Sequence, residues 1–254
     1  MQLTLFELNQ IFDVSVAEAE QLVLELGKDS VYFPGPVNVA SEESVQEGVR
    51  KAFERFGRIA GCVNCAGIIR AGLTAAREGE YGFWGLQTVE DFRSMIEVNL
   101  VGTFSVTQKV ALRMVDQEPF NEDQERGVFI QASSLASSDG QMGAVGYAGT
   151  KGAISAMLLP MARDLSRYGI RFNAIAPGVF YTPMSAGFLT KDAKPHEFPP
   201  RLGRPDEFAS LVVQLVENSM MNGTTVRLDA GMRNPRPELI NPGGGEGFSN
   251  AAER

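Results

Sequence analysis

Short β-rich runs alternate with longer helical ones along nearly the whole chain, and this alternation restricts the fold more than any other feature. QLTLFEL (2–8) reads as a strand. VAEAEQLVLEL (16–26) places Val16, Ala19, Leu22, Val23 and Leu26 on one helix face and ends at Gly27. SVYF (30–33) is the next predicted strand. SEESVQEGVRKAFERFG (41–57) opens on a capping Ser41 with Glu42 and Glu43 in its first turn, carries the stripe Val45, Val49, Ala52, Phe53 and Phe56, and stops at Gly57. The order continues with IAGCVNCAG (59–67) as strand and turn, 89–114 as one long helix, GVFIQAS (127–133) as a buried strand and YAGTKGAISAMLL (147–159) as a helix. IRFNAIAPG (170–178) is then a strand and turn, PDEFASLVVQLVE (205–217) a helix and TTVRLD (224–229) a last strand. Strands separated by helices of this length need crossover connections, so the predicted fold is α/β, a doubly wound parallel sheet covered on both faces.

At 254 residues and 44% hydrophobic, the chain can bury a large core, and nothing in it demands more than one domain. The predicted domain spans 1–233, with a flexible tail over 234–254. A formal charge of −8 argues against a broad electrostatic hold on nucleic acid or an anionic membrane and makes a small molecule the expected partner. With no apolar run of 18 residues and no signal-like start, the expected location is cytoplasmic, or the mitochondrial matrix in a eukaryote. Cys62 and Cys65 offer neither a disulfide framework nor a zinc site and read as packing residues, so no metal is expected. The lone His196, in KPHEFPP, is expected on a surface loop. Two long irregular stretches, 71–88 with Trp84 and 178–203 with Phe180, Met184 and Phe188, read as lids or binding loops.

The residues that suggest chemistry are Ser134, Tyr147 and Lys151. Tyr147 and Lys151, four apart, share one helix face, and a cation beside a phenol favours its ionised form. Tyr147 can then serve as a general acid/base. Ser134 stands at the end of the buried strand 127–133, where a doubly wound sheet presents residues to its ligand crevice, and its hydroxyl can donate to a substrate oxygen. Asn99, inside a predicted helix where asparagine is a mediocre choice, asks for a local reason.

CVNCAG (62–67), EVNLVGTF (97–104), Ser134 with YAGTK, and APGVFYTPM (176–184) occur in the order that resembles the motif series of the short-chain dehydrogenase/reductase family, whose fold is Rossmann-like. RLG (201–203), LPMARDLSRYGIRF (159–172) and VRLDAGMR (226–233) are similar to its type-2 3-hydroxyacyl-CoA dehydrogenase branch, also described as 17β-hydroxysteroid dehydrogenases. The resemblance implies an NAD-dependent oxidoreductase of lipid metabolism that interconverts a secondary alcohol and a ketone. In that scheme Tyr147 exchanges the hydroxyl proton, Ser134 holds the substrate oxygen, Lys151 lowers the tyrosine pKa and bonds the nicotinamide ribose, and Asn99 holds a water. It assigns cofactor contacts to Asn64, Ala66 and Gly67, to Pro177, Gly178 and Thr182, and to Asn38 and Val39 beside adenine. Glu7 is placed on the adenosine ribose, which favours NAD over NADP.

The family's glycine-rich turn has no counterpart before Glu7, a gap of about 30 residues, the size of one strand-plus-helix unit. The sequence is therefore expected to lack the first strand and helix of its sheet and to bind NAD more weakly than a complete relative. The resemblance also implies a homo-oligomer, dimer or tetramer, paired through the helices at 89–114 and 147–159. The alternative reading is a catalytically inactive relative that acts as an interaction subunit.

Overall fold

The computed structural model describes residues 9–27, 29–77, 85–186 and 196–233. In chain order it contains β1 (Asn9–Gln10), α1 (Val16–Leu26), β2 (Val31–Tyr32), α2 (Glu42–Phe56), β3 (Gly61–Asn64) and α3 (Val89–Met95). A π-helical segment (Ile96–Gly102) leads into α4 (Thr103–Met114), followed by β4 (Gly127–Ala132), α5 (Val145–Ser166), β5 (Ile170–Pro177), α6 (Pro183–Ala186), α7 (Pro205–Glu217) and β6 (Thr225–Leu228). The predicted strand over 2–8, with Glu7, lies outside the described residues, as do Trp84, Phe188 and the tail from 234.

Every strand pair is parallel: β1 with β2 in one sheet, and β3-β4-β5-β6 in that order in another. Alternation along β4 sends its side chains to opposite faces. Phe129 packs with Phe172 of β5 under α2, α4 and α5, together with Val45, Val49, Val110, Met114 and Leu158. Val128 and Ile130 turn the other way, against Leu215, Leu211 and Phe208 of α7. Helices thus cover both faces, as a doubly wound sheet requires. The rings of Phe129 and Phe172 lie 5.5 Å apart and are fully buried.

Local chemistry sets most element ends. Ser41 Oγ accepts from Ser44 N–H to start α2, and Gly57, at φ 72°, ends it in the left-handed region. Arg171, at the start of β5, donates to the carbonyls of Leu215 (2.6 Å), Val216 (2.6 Å), Asn218 and Met221 at the C-terminus of α7, and its Nε meets Glu125 Oε1 at 2.7 Å. A buried cation on the last carbonyls of a helix satisfies orphan acceptors and opposes the dipole.

Two expectations are corrected. The long helix over 89–114 is interrupted at 96–102 by the π-helical segment, which carries Asn99. The helix expected to end at 159 runs on through Pro160 to Ser166, because Leu158 and Ala162 are both buried and anchor it on either side of the proline. Among the described residues no helix is long and apolar enough to cross a membrane.

Candidate active site

The parallel strands end on one side of the sheet, and the predicted residues gather there. Ala132, the last residue of β4, is in register with Ile175 of β5, and Ser133 N–H donates to Ile175 O at 2.8 Å. Ser134 therefore leaves the sheet beside the end of β5, which runs out through Pro177 into Gly178. Its Oγ also accepts from Ala136 N–H at 3.1 Å, capping a short turn over Leu135–Ser137. α5 crosses this end with Tyr147 in its first turn and Lys151 one turn later. Ser133 pins the crossing, its Oγ donating to Lys151 O at 3.1 Å and lying 2.9 Å from Ser155 Oγ.

Burial raises the Tyr147 phenol above its ordinary value, and the neighbouring Ser134 hydroxyl opposes that shift only in part. The sequence predicts that Lys151 lowers this phenol; the structure turns the ammonium elsewhere. Lys151 Nζ lies 5.7 Å from the centre of the Tyr147 ring and donates to Ala132 O at 2.6 Å. Burial pushes Lys151 down to about 8, with Cys65 pulling weakly the other way.

Asn99 has the local reason that its sequence position demands. Fully buried, its Oδ1 accepts from Ile68 N–H at 2.7 Å, while Nδ2 donates to Ile68 O at 2.9 Å and Thr150 Oγ1 at 3.1 Å. Thr150 Oγ1 donates in turn to Tyr147 O at 2.8 Å. Asn99 thereby ties the turn after β3 to the catalytic face of α5. Gly67 lies in that turn, and a methyl group there would stand 3.2 Å from Asn99 Oδ1 and 3.6 Å from Lys151 Nζ. This leaves a bare backbone face beside a buried ammonium, a donor of the kind that a ribose hydroxyl accepts from.

The other predicted cofactor residues are arranged around this cluster with different degrees of engagement. Asn64 Nδ2 donates to Thr107 Oγ1 at 3.1 Å and Gln131 Oε1 at 3.0 Å, so its side chain braces β3 against α4 and β4. Ala66 and Cys65 are exposed, while Cys62 packs against the core, where burial pushes its thiol up to about 12. Asn38 and Val39 lie apart from the cluster, at the entrance of α2. Asn38 Oδ1 accepts from Ala40 N–H at 3.0 Å, and Val39 packs against Gly102 at the end of the π-helical segment. Thr182 N–H donates to Ser185 Oγ at 2.9 Å at the start of α6. A cavity of about 490 Å3 opens at the N-terminal end of α5, lined by Leu73, Thr74, Gln141, Met142, Val145 and Ala148 but not by Tyr147.

A family profile described as Enoyl-(Acyl carrier protein) reductase matches residues 8–233. The chain belongs to the short-chain dehydrogenase/reductase family. It is 41% identical to the 3-hydroxyacyl-CoA dehydrogenase type-2 of Mus musculus over 88% of this chain and 84% of that protein. Among solved structures it is similar to a 3-hydroxyacyl-CoA dehydrogenase type-2 from Mycobacterium avium, with a TM-score of 0.79 and 35% identity, covering 89% of this chain and 86% of the other. It is also similar to a 3-ketoacyl-(acyl-carrier-protein) reductase from Brucella melitensis complexed with NADH, with a TM-score of 0.73 and 25% identity over 87% and 86% of the two chains. These relatives are oxidoreductases.

Within this dehydrogenase/reductase fold, sequence reasoning missed three residues. Ser133 and Thr150 sit beside the motif residues and position them, but short polar side chains next to a motif carry no distinguishing pattern. His196 is not the surface residue its loop suggested: it is 6% exposed and held by backbone groups on both ring nitrogens. Its partners, Val179 and Arg201, come together only through the tertiary fold, so no local signal marks it.

Proposed function

We propose that this chain interconverts a secondary alcohol and a ketone with NAD as co-substrate, acting on a 3-hydroxyacyl-CoA or a hydroxysteroid. The observation that carries the reading is the Tyr147 ring with the Ser134 hydroxyl beside it and the Lys151 ammonium 5.7 Å from the ring centre. These groups stand where the parallel strands end, the usual ligand side of an open α/β sheet.

When bound, the nicotinamide supplies or accepts the hydride. The chain's own residues handle the proton and the geometry. In ketone reduction Tyr147 Oη–H gives its proton to the carbonyl oxygen, and Ser134 Oγ–H donates a hydrogen bond to that oxygen as it gains charge. In alcohol oxidation the phenolate takes the hydroxyl proton. Burial raises the phenol, so the oxidation direction gains as pH rises. Lys151, its ammonium held on Ala132 O, would donate to the nicotinamide ribose rather than set the phenol's pKa. Asn99 keeps Gly67 and Tyr147 in mutual position through Ile68 and Thr150.

Gly67, Lys151, Gly178 and Thr182 would hold the nicotinamide end of the dinucleotide, with Asn64, Ala66 and Pro177 framing it. Asn38 and Val39 would meet the adenine and Glu7 the ribose, which is the ground for NAD over NADP. The similarity to the 3-hydroxyacyl-CoA dehydrogenases supports the acyl-CoA arm. The chain pairs with further copies through α4 and α5, a surface where Phe104, Leu112 and Leu159 are exposed and where nothing lies within 4 Å of a methyl group placed at Gly149.

Formation of NADH from NAD and a short 3-hydroxyacyl-CoA, with a hydroxysteroid in parallel, tests the reading. Ser134→Ala is expected to lower kcat by about a hundredfold, the usual effect of removing one donor to a developing oxyanion. Undiminished turnover in that variant would contradict it.

A further inference from the structure

We infer that His196 is a positioning residue whose neutral, Nδ1-protonated ring clasps the Gly178–Thr182 turn in place. This rests on the reading of that turn as part of the dinucleotide site. The ring lies between two backbone groups of fixed polarity. Val179 N–H donates to Nε2 at 3.1 Å, and Nδ1 lies 2.6 Å from Arg201 O. A backbone N–H can only donate and a carbonyl can only accept, so Nε2 is bare and Nδ1 carries the proton. The tautomer is dictated by the main chain on either side.

The remaining bonds of the turn show what the clasp adds. Gly178 N–H donates to Leu228 O at 2.9 Å, Gly203 N–H to Val179 O at 3.0 Å, and Tyr181 N–H to Gly203 O at 2.9 Å. The Val179 amide, between these, relies on His196. A methyl group at Gly178 would stand 2.8 Å from His196 Nε2, so only glycine lets the ring come this close. A second proton on the ring would set an Nε2–H against the Val179 N–H, replacing an attraction with two opposed donors.

The charged groups around the ring are paired with one another. Asp229, whose backbone packs against Gly178, is bonded to Arg227 and lies 3.5 Å from Arg233. Glu207 of α7 pairs with Arg201 at 2.6 Å and with Arg204 at 3.4 Å. Glu197 follows His196 and packs beside Gly231. A cavity of about 200 Å3, lined also by Phe180, Arg201 and Glu207, reaches the ring.

Two substitutions separate the ring's two bonds. Glutamine places an oxygen where Nε2 accepts and does not titrate; asparagine places a donor where Nδ1 donates and leaves Val179 without an acceptor. Long-range proton–nitrogen spectra of the whole chain are expected to show a protonated Nδ1 at pH 8, and a protonated Nε2 would overturn the proposal. The hydrogen-exchange protection of the Val179 amide is expected to fall roughly tenfold in His196→Asn and to stay near the original in His196→Gln. Equal protection in both variants would overturn the clasp. NADH titrated by fluorescence should follow the same pattern of affinity, and affinity independent of the clasp would overturn its positioning role. Failure of NADH to bind in the unmodified chain or either variant would instead count against the dinucleotide reading, and the exchange comparison would then decide the clasp by itself.

Discussion

The two sheets of this molecule are held together very differently. Among the described residues β1 and β2 share two residue pairs, Asn9↔Val31 and Gln10↔Tyr32, and the adjoining α1 buries Ala19 while Leu24 is 73% exposed and Leu26 56% exposed. β4 and β5 are joined over six pairs, are buried along nearly their whole length, and are covered by α4 and α5 on one face and α7 on the other. Ser134, Tyr147, Lys151, Gly178 and the Asn99 clamp all depend on the second sheet. Asn38 and Val39 stand between the two at the start of α2: Val37 N–H donates to Asp13 O beyond β1, while Val39 packs against Gly102 and the core under β4 and β5. The difference teaches that the residues proposed to handle the proton are held by the long, buried β4–β5 pair, while those proposed to meet adenine stand where the shorter pair meets that core.

Paired truncations are the strongest way to break that comparison. Phe172→Ala, between β5 and the helices, is expected to cost about 3–5 kcal/mol in denaturant unfolding and to abolish activity by unseating the site. Leu24→Ala in α1 is expected to change stability by about 0.5 kcal/mol or less and to leave the site intact. Similar losses from the two would mean that the sheets are one cooperative core after all.

A smaller effect sharpens the comparison from the electrostatic side. Burial holds Lys151 at about 8 against an ordinary 10.5, so the unfolded chain binds this proton more tightly than the folded one. With the folded value depressed, the cost of charging Lys151 is fully present below pH 8 and is relieved as pH rises toward 10.5. Stability should therefore rise over that window by an amount on the order of 2–3 kcal/mol, and Lys151→Met should remove the rise. An unchanged pH slope in the variant would show that Lys151 is not desolvated as the structure has it.

The same contrast explains what could be read without coordinates. α1 and α7 lie where the apolar stripes and terminal residues Gly27 and Pro205 placed them, because helix period and caps are local properties. Tyr147 and Lys151 fall on one face for the same reason. Where the ammonium points was not legible, since Ala132 O reaches it only when β4 and α5 pack together. The π-helical segment differs too little in period from an α-helix to show in seven residues, and Asn99, a poor helix residue, was its single trace. His196 gave no trace, because its partners are backbone groups, Arg201 O five residues on and Val179 N–H brought back from seventeen residues before, and backbone groups carry no residue-type signal.

Tyr147→Phe tests the central claim most directly. The substitution removes one oxygen from a half-buried ring that is held by α5, so folding and NADH binding should be almost unchanged. Oxidation of a short 3-hydroxyacyl-CoA by NAD should fall by at least a hundredfold, the low end of what a positioned general acid/base contributes. Turnover at the original rate in a variant that still binds NADH would show that the proton passes through some other group and would contradict the account.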